Sequence, residues 1–138
     1  MKPVNDELTG LFLTHEDLEA LLEDTNALAE TLDNNPGDVS ASADLETAVE
    51  DLRRRIADHM TAEESWVFPA MTKAGAPAPL LAAMLAAHEE LRRLGRHCAG
   101  PTFDAAGVLA YVSAFRKHAD YEEQSLAHFW AKAHASAS

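Results

Sequence analysis

The chain has 138 residues, 47% hydrophobic and 25% charged, which suits a single domain, residues 1–138, with a buried core and excludes a disordered tail. Its 11 Lys and Arg against 23 Asp and Glu leave a net charge of −12, so nucleic acid is not expected as a partner, because phosphate binding needs a basic face. No apolar run approaches the roughly 18–20 residues of a membrane span, and the N-terminus turns acidic by Asp6-Glu7 with no signal-peptide core; no membrane partner is expected, and a cytoplasmic location is.

In chain order, the first helix is predicted over 10–33 and ends at the breaker cluster Asn34-Asn35-Pro36-Gly37. A second helix is predicted over 42–68. Ser40 or Ser42 could cap it, Asp44 or Glu46 falls near its first turn, and Pro69 ends it or kinks its last turn. After Gly75-Ala76-Pro77-Ala78-Pro79, a third helix spans 78–98 and stops before Gly100-Pro101. The fourth spans 104–133, with Asp104 as its cap. The segments are rich in Ala, Leu, Glu and Arg, all good helix formers, and no strand alternation appears.

Within each segment the apolar positions recur three or four residues apart. The first gives Leu11, His15, Leu18, Leu22, Thr25, Ala29 and Leu32, and the second Leu45, Val49, Leu52, Ile56, His59, Glu63 and Trp66. The third gives Leu81, Met84, His88, Leu91, Gly95 and Cys98, and the fourth Val108, Tyr111, Phe115, His118, Glu122, Ser125 and Phe129. This is the inward stripe of a helical bundle. Short connections between helices of similar length make it an all-α, antiparallel up-down-up-down four-helix bundle.

Polar residues break that stripe on every helix. His15, His59, His88 and His118 fall on it, and Glu63 and Glu122 follow His59 and His118 by four residues, so each pair shares a helix face. A single histidine on an apolar stripe is more often a satisfied core residue than a ligand. Four of the seven histidines, one per helix, are harder to read that way. Residues at one height of an antiparallel hairpin are equidistant from its turn. The midpoint of His15 and His59 is Gly37, that of His59 and His88 lies between Lys73 and Ala74, and that of His88 and His118 is Phe103. All three fall in or beside expected loops, which puts the four histidines in one layer.

Imidazoles and carboxylates in an apolar interior are costly unless satisfied. A metal satisfies them together, and mixed His and carboxylate donors suit iron, manganese or zinc. Six donors are too many for one tetrahedral ion and fit two octahedral ions sharing the carboxylates, a known arrangement inside bundles. A mononuclear site and a metal-free polar layer are the alternatives.

These residues resemble the hemerythrin-like, or HHE cation-binding, family. The matching pieces are Leu13-Thr14-His15-Glu16, His59-Met60-Thr61-Ala62-Glu63-Glu64 followed by Phe68-Pro69, His88-Glu89-Glu90, and His118-Ala119-Asp120-Tyr121-Glu122-Glu123. The resemblance covers about residues 8–133 and implies a non-haem di-iron centre with an oxo or hydroxo bridge. It would make Glu63 and Glu122 the bridging carboxylates, with His15 and His59 on one iron and His88 and His118 on the other. Hemerythrin proper carries a fifth histidine, from an H-x-x-x-H pair. Here Met84 and Arg92 flank His88 at four residues on either side. In the fourth helix hemerythrin has an aspartate five residues after the histidine, where this chain has Glu123. Without the fifth histidine two coordination positions stay open, unless Glu19 or Glu89 fills one. Two open positions suit peroxide, nitric oxide or a second oxygen atom better than simple reversible oxygen carriage.

Three functions compete. The first is a di-iron protein that stores, senses or detoxifies oxygen, peroxide or nitric oxide, its partner being that small ligand. The second is a catalase- or peroxidase-like enzyme at the same centre. The third is a zinc-loaded or metal-free helical interaction module. A homodimer is compatible with the helix faces, and a sensor would need a separate protein partner. The remaining residues are assigned ordinary roles. A single cysteine, Cys98, excludes an intramolecular disulfide and a cysteine-built zinc cage; it is expected as a buried small residue. Trp66, Phe68, Phe115, Phe129 and Trp130 are expected mostly in the core, with walling of the site as their alternative, and so is Tyr111, with a role as donor behind the site as its alternative. Arg53-Arg54-Arg55 is expected as a solvated face paired with nearby acids, and His97, His128 and His134 lie off the layer.

Overall fold

A computed structural model of the chain describes the backbone of residues 4–99 and 103–137 and the side chains of residues 18–99, 103–125 and 129. Its elements are α1 (Val4–Asn34), α2 (Val39–Ala62), a π-helical turn (Glu63–Val67), α3 (Phe68–Lys73), α4 (Ala78–His97) and α5 (Ala105–Ala137). The π turn joins α2 to α3 without a break, so the elements make four rods. α1 packs on α2 and α5, and α4 packs on α5 and α2. This is the all-α four-helix bundle that the periodicity predicts. Among the described residues no helix is long and apolar enough to cross a membrane.

Two local expectations are corrected. α2 begins at Val39 because Asp38, not Ser40 or Ser42, is its cap: the Asp38 carboxylate accepts the Ala41 N–H at 2.9 Å. Asp38 directly follows the Pro36-Gly37 turn, so its side chain reaches the first free N–H groups, whereas both serines lie inside the helix. Asp104 does act as expected at the start of α5, accepting from the Gly107 N–H at 2.6 Å. The second rod does not end at Pro69 but runs on to Lys73. Proline has no N–H to offer the carbonyl four residues back, and its ring crowds that carbonyl in a regular α-helix. The wider turn before it, in which the Phe68 N–H bonds to the Glu63 carbonyl, lets the rod continue, with Pro69 in the first turn of α3.

The inward stripe is observed nearly as read. Leu18, Leu22, Thr25, Ala29 and Leu32 of α1 are buried, as are Leu45, Val49, Leu52, Ile56, His59 and Glu63 on the second rod. Trp66 is the exception, 60% exposed, and Val67 is buried in its stead. A π turn takes up about 4.4 residues, so the residue one turn beyond Glu63 is Val67 and Trp66 swings outward.

The apolar core has two parts. The larger includes Leu22, Leu45, Leu52, Leu91, Tyr111 and Phe115. The smaller consists of Val67, Phe68, Met71 and Met84, with Leu80, Leu81 and Phe129 packed against it. Tyr111 belongs to the larger part, against Gly95, where an added Cβ would meet its hydroxyl at 3.3 Å. Cys98 is buried there too, with its thiol donating to the Gly107 carbonyl and its pKa pushed up to about 11 by burial. On the outer face of α2 the arginine run pairs as expected, Arg53 with Glu50 at 3.1 Å and both Arg54 and Arg55 with Asp51 at 2.7 and 3.3 Å.

Candidate metal centre

Between the two apolar parts lies a layer of buried polar side chains. His59, Glu63, His88, His118 and Glu122 are each at most 5% exposed. The first two come from the end of α2 and the start of the π turn, His88 from α4, and the last two from α5. His15 lies on α1, outside the residues whose side chains are described.

The i, i+4 pairs form as their spacing predicts. His59 Nε2 is 3.0 Å from Glu63 Oε1, and His118 Nε2 is 3.0 Å from Glu122 Oε2. Contacts between rods knit these pairs together. His88 Nε2 lies 3.4 Å from Glu63 Oε1 and 3.7 Å from Glu122 Oε2, and His59 Nε2 lies 3.7 Å from Glu122 Oε1. Glu122 therefore divides its oxygens, one toward His59 and the other toward His88 and His118. The rings of His88 and His118 meet edge-on with centroids 4.8 Å apart. Phe68 stacks on His88, and Phe115 meets His59 edge-on, so these two aromatics wall the layer on opposite sides.

The electrostatics follow from burial and charge. Burial opposes protonation of His59 and His88, but the carboxylates of Glu122 and Glu63 outweigh it and push the two imidazoles up to about 9 and about 10. Burial likewise opposes ionisation of Glu122, but His118, His59 and His88 hold it far below the usual carboxylate range. With only protons available, Glu122 stays ionised while His59 and His88 hold their charge.

A cation meets the same need more completely. Glu63, His88, His118 and Glu122 each offer a donor atom, and these atoms lie within 4.8 Å of one another. His88 Nε2, both ring nitrogens of His118 and Glu63 Oε1 are sealed from water yet make no hydrogen bond. Buried polar atoms are rarely left so in a folded protein. A nitrogen and carboxylate donor set converging on one point is what a borderline cation binds, so the residues present fit a metal.

The residues weighed as extra ligands face elsewhere. Glu19 accepts from Arg116 at 2.9 Å on the surface, and Glu89 is exposed beside Arg92; Glu123, at the position where hemerythrin has its aspartate, is also exposed. Met84, four residues before His88, is fully buried in the smaller apolar part. The sequence reading missed the contact that Glu64 and Arg92 make with the layer. Glu64 Oε2 is 2.6 Å from His88 Nδ1, and Arg92 reaches both oxygens of Glu64 at 2.8 and 2.9 Å. The signal was there in the second acid of Glu63-Glu64 and in an arginine one turn beyond His88, but it needs the pairing of the second rod with α4 to be seen.

No curated protein and no solved structure matches the chain. The family model described as the hemerythrin HHE cation-binding domain matches residues 8–130, a span that contains every polar residue of the layer. The chain belongs to the hemerythrin HHE cation-binding domain family.

Proposed function

We propose that the chain is a non-haem di-iron protein that binds or reacts with oxygen, peroxide or nitric oxide, with His15, His59, Glu63, His88, His118 and Glu122 as the metal ligands. The observation that carries this reading is the division of the Glu122 oxygens between His59 and the His88–His118 pair, as a carboxylate shared by two ions requires. Glu63 Oε1 is likewise placed between His59 and His88. His15 completes the His59 side by its place in the sequence pattern.

Two iron ions held by these residues would supply redox chemistry toward a small ligand. The chain's own residues do the rest. Phe68 and Phe115 exclude water from the imidazoles. Met84 puts a thioether where an H-x-x-x-H pair would put an imidazole, and Arg92 is turned to Glu64, so neither adds a nitrogen ligand. The absence of a further histidine at these two positions favours reaction with peroxide or nitric oxide over reversible oxygen carriage.

The test is metal content after ferrous loading in air, read together with the absorption spectrum. About two irons per chain with near-ultraviolet oxo-to-iron bands is the expected result. Less than about half an iron per chain with the helical fold unchanged overturns the reading and leaves a zinc site or a polar layer. Peroxide and nitric oxide consumption by the loaded protein then separates turnover from binding.

A further inference from the structure

A connection from the polar layer toward solvent runs through two residues that are not among its ligands. Glu64 is 28% exposed and Arg92 33%; they bridge the seam where the second rod meets α4. The 2.6 Å separation of His88 Nδ1 and Glu64 Oε2 places one proton between them. A single guanidinium nitrogen of Arg92 donates to both oxygens of the same carboxylate. A carboxylate so engaged is the anionic acceptor, so the shared proton sits on Nδ1. Nε2 of His88 is then the nitrogen directed at Glu63 and Glu122, where it makes no hydrogen bond. His118 has no comparable support, since its Nδ1 is buried without a hydrogen bond.

We propose that Glu64 and Arg92 are positioning residues of the centre: Glu64 fixes the ring of His88 with its Nδ1 proton outward and Nε2 toward the cation, and Arg92 acts on the cation only by holding Glu64. Carboxylates placed behind a ligating imidazole orient it and raise its basicity, and losing one weakens metal binding by about 10- to 100-fold. Arg92 neutralises Glu64, so the carboxylate adds order to the site without adding a full uncompensated charge. The consequence for metal affinity rests on the function proposed above; the orientation of His88 does not.

The experiment uses the full chain labelled with 15N-histidine, as wild type, Glu64→Gln, Arg92→Gln and Arg92→Lys, metal-free and titrated with Zn2+. In wild type His88 should show a far-downfield, slowly exchanging Nδ1 proton, and Zn2+ should bind through its Nε2. Glu64→Gln should move that proton upfield, speed its exchange and weaken Zn2+ binding about 10- to 100-fold. Arg92→Gln should do the same to a lesser degree, and Arg92→Lys should recover most of the loss. Zn2+ binding of undiminished strength in Glu64→Gln overturns the proposal, as does Zn2+ bound through Nδ1 in wild type. Should Glu64→Gln fail to fold, Arg92→Gln carries the same comparison. If wild type binds no Zn2+ and no Fe2+, the di-iron reading fails, and the His88 proton still decides the orientation: its loss in Glu64→Gln supports it, and its absence from wild type overturns it.

Discussion

Phe68 lies nearly flat on His88, with ring centroids 5.4 Å apart and planes inclined by 26°. The contact joins the smaller apolar cluster to the polar layer, so one side chain serves both packing and water exclusion. Phe68→Ala should destabilise the metal-free chain by about 3–5 kcal/mol, the range for deleting a buried aromatic, and Phe68→Leu by much less. Urea unfolding measures both, and a loss below about 1 kcal/mol for Phe68→Ala would show that the cluster collapses around the gap.

Glu122→Gln should be more damaging than its conservative shape suggests. It removes the negative charge that faces three buried imidazoles, and breaking a buried pair in this way costs about 3–5 kcal/mol. Near-complete loss of metal uptake should accompany it. Glu123→Gln, one residue on and exposed, should leave metal uptake unchanged. Equal effects of the two substitutions would contradict the assignment of Glu122 to the layer.

The metal-free chain should lose stability as pH rises above neutrality. His59 and His88 hold their protons to about 9 and about 10 when folded, against 6.5 for an ordinary imidazole. Because the folded value is the higher one, their stabilisation is complete below 6.5 and disappears as pH climbs through the folded values. Glu122 is depressed from 4.5, so its contribution is present above 4.5 and is lost on further acidification. Stability should peak between those limits and decline on the alkaline side by an amount on the order of a few kcal/mol. Urea midpoints at about pH 6 and about pH 9 test this, and equal midpoints would refute it. Metal should flatten the alkaline slope and release protons on binding, because ligands bind deprotonated.

Gly75 should tolerate a side chain less well than Gly37. Its φ is +90°, and it closes α3 with its N–H on the Thr72 carbonyl at 3.1 Å while the Ala76 N–H reaches the Met71 carbonyl at 2.9 Å. That pair of bonds is a Schellman cap, which wants a left-handed residue at this position. Gly75→Ala should cost about 1–2 kcal/mol. Gly37→Ala, with open space around its Cβ position, should be close to neutral. Thermal unfolding of the two variants makes the comparison.

Much of the fold and most of the layer could be read from one sequence, because a regular helix turns a three-or-four spacing into a face. Leu18, Leu22, Leu45, Ile56, Leu91 and Phe115 obey that rule, and so do His59, His88, His118 and Glu122. The reading slipped where the helix stops being regular. Extending the α period through Glu63–Val67 put Trp66 inward, and the extra residue of the π turn puts Val67 there. Asp38 was passed over because two serines nearby are equally good caps by type, and only the chain's path after Pro36-Gly37 decides among them. Glu64 and Arg92 stayed hidden for another reason. They are 28 residues apart, and no periodicity within either helix relates them.

The layer also bears on how firm this bundle can be. Packing leucine-like side chains across all four rods would remove the uncompensated nitrogens of His88 and His118 and the tightly held charges beside them. Such replacements of buried charge often leave a protein more stable than before. The chain instead keeps two carboxylates and three imidazoles at the junction of its two apolar clusters. The polar layer is therefore a weak point at mid-rod, and a cation bound there would restore strength that the side chains alone do not supply. Hardness and cation binding pull in opposite directions at this level of the fold, and a variant evolved for heat resistance in the absence of metal should discard these residues first.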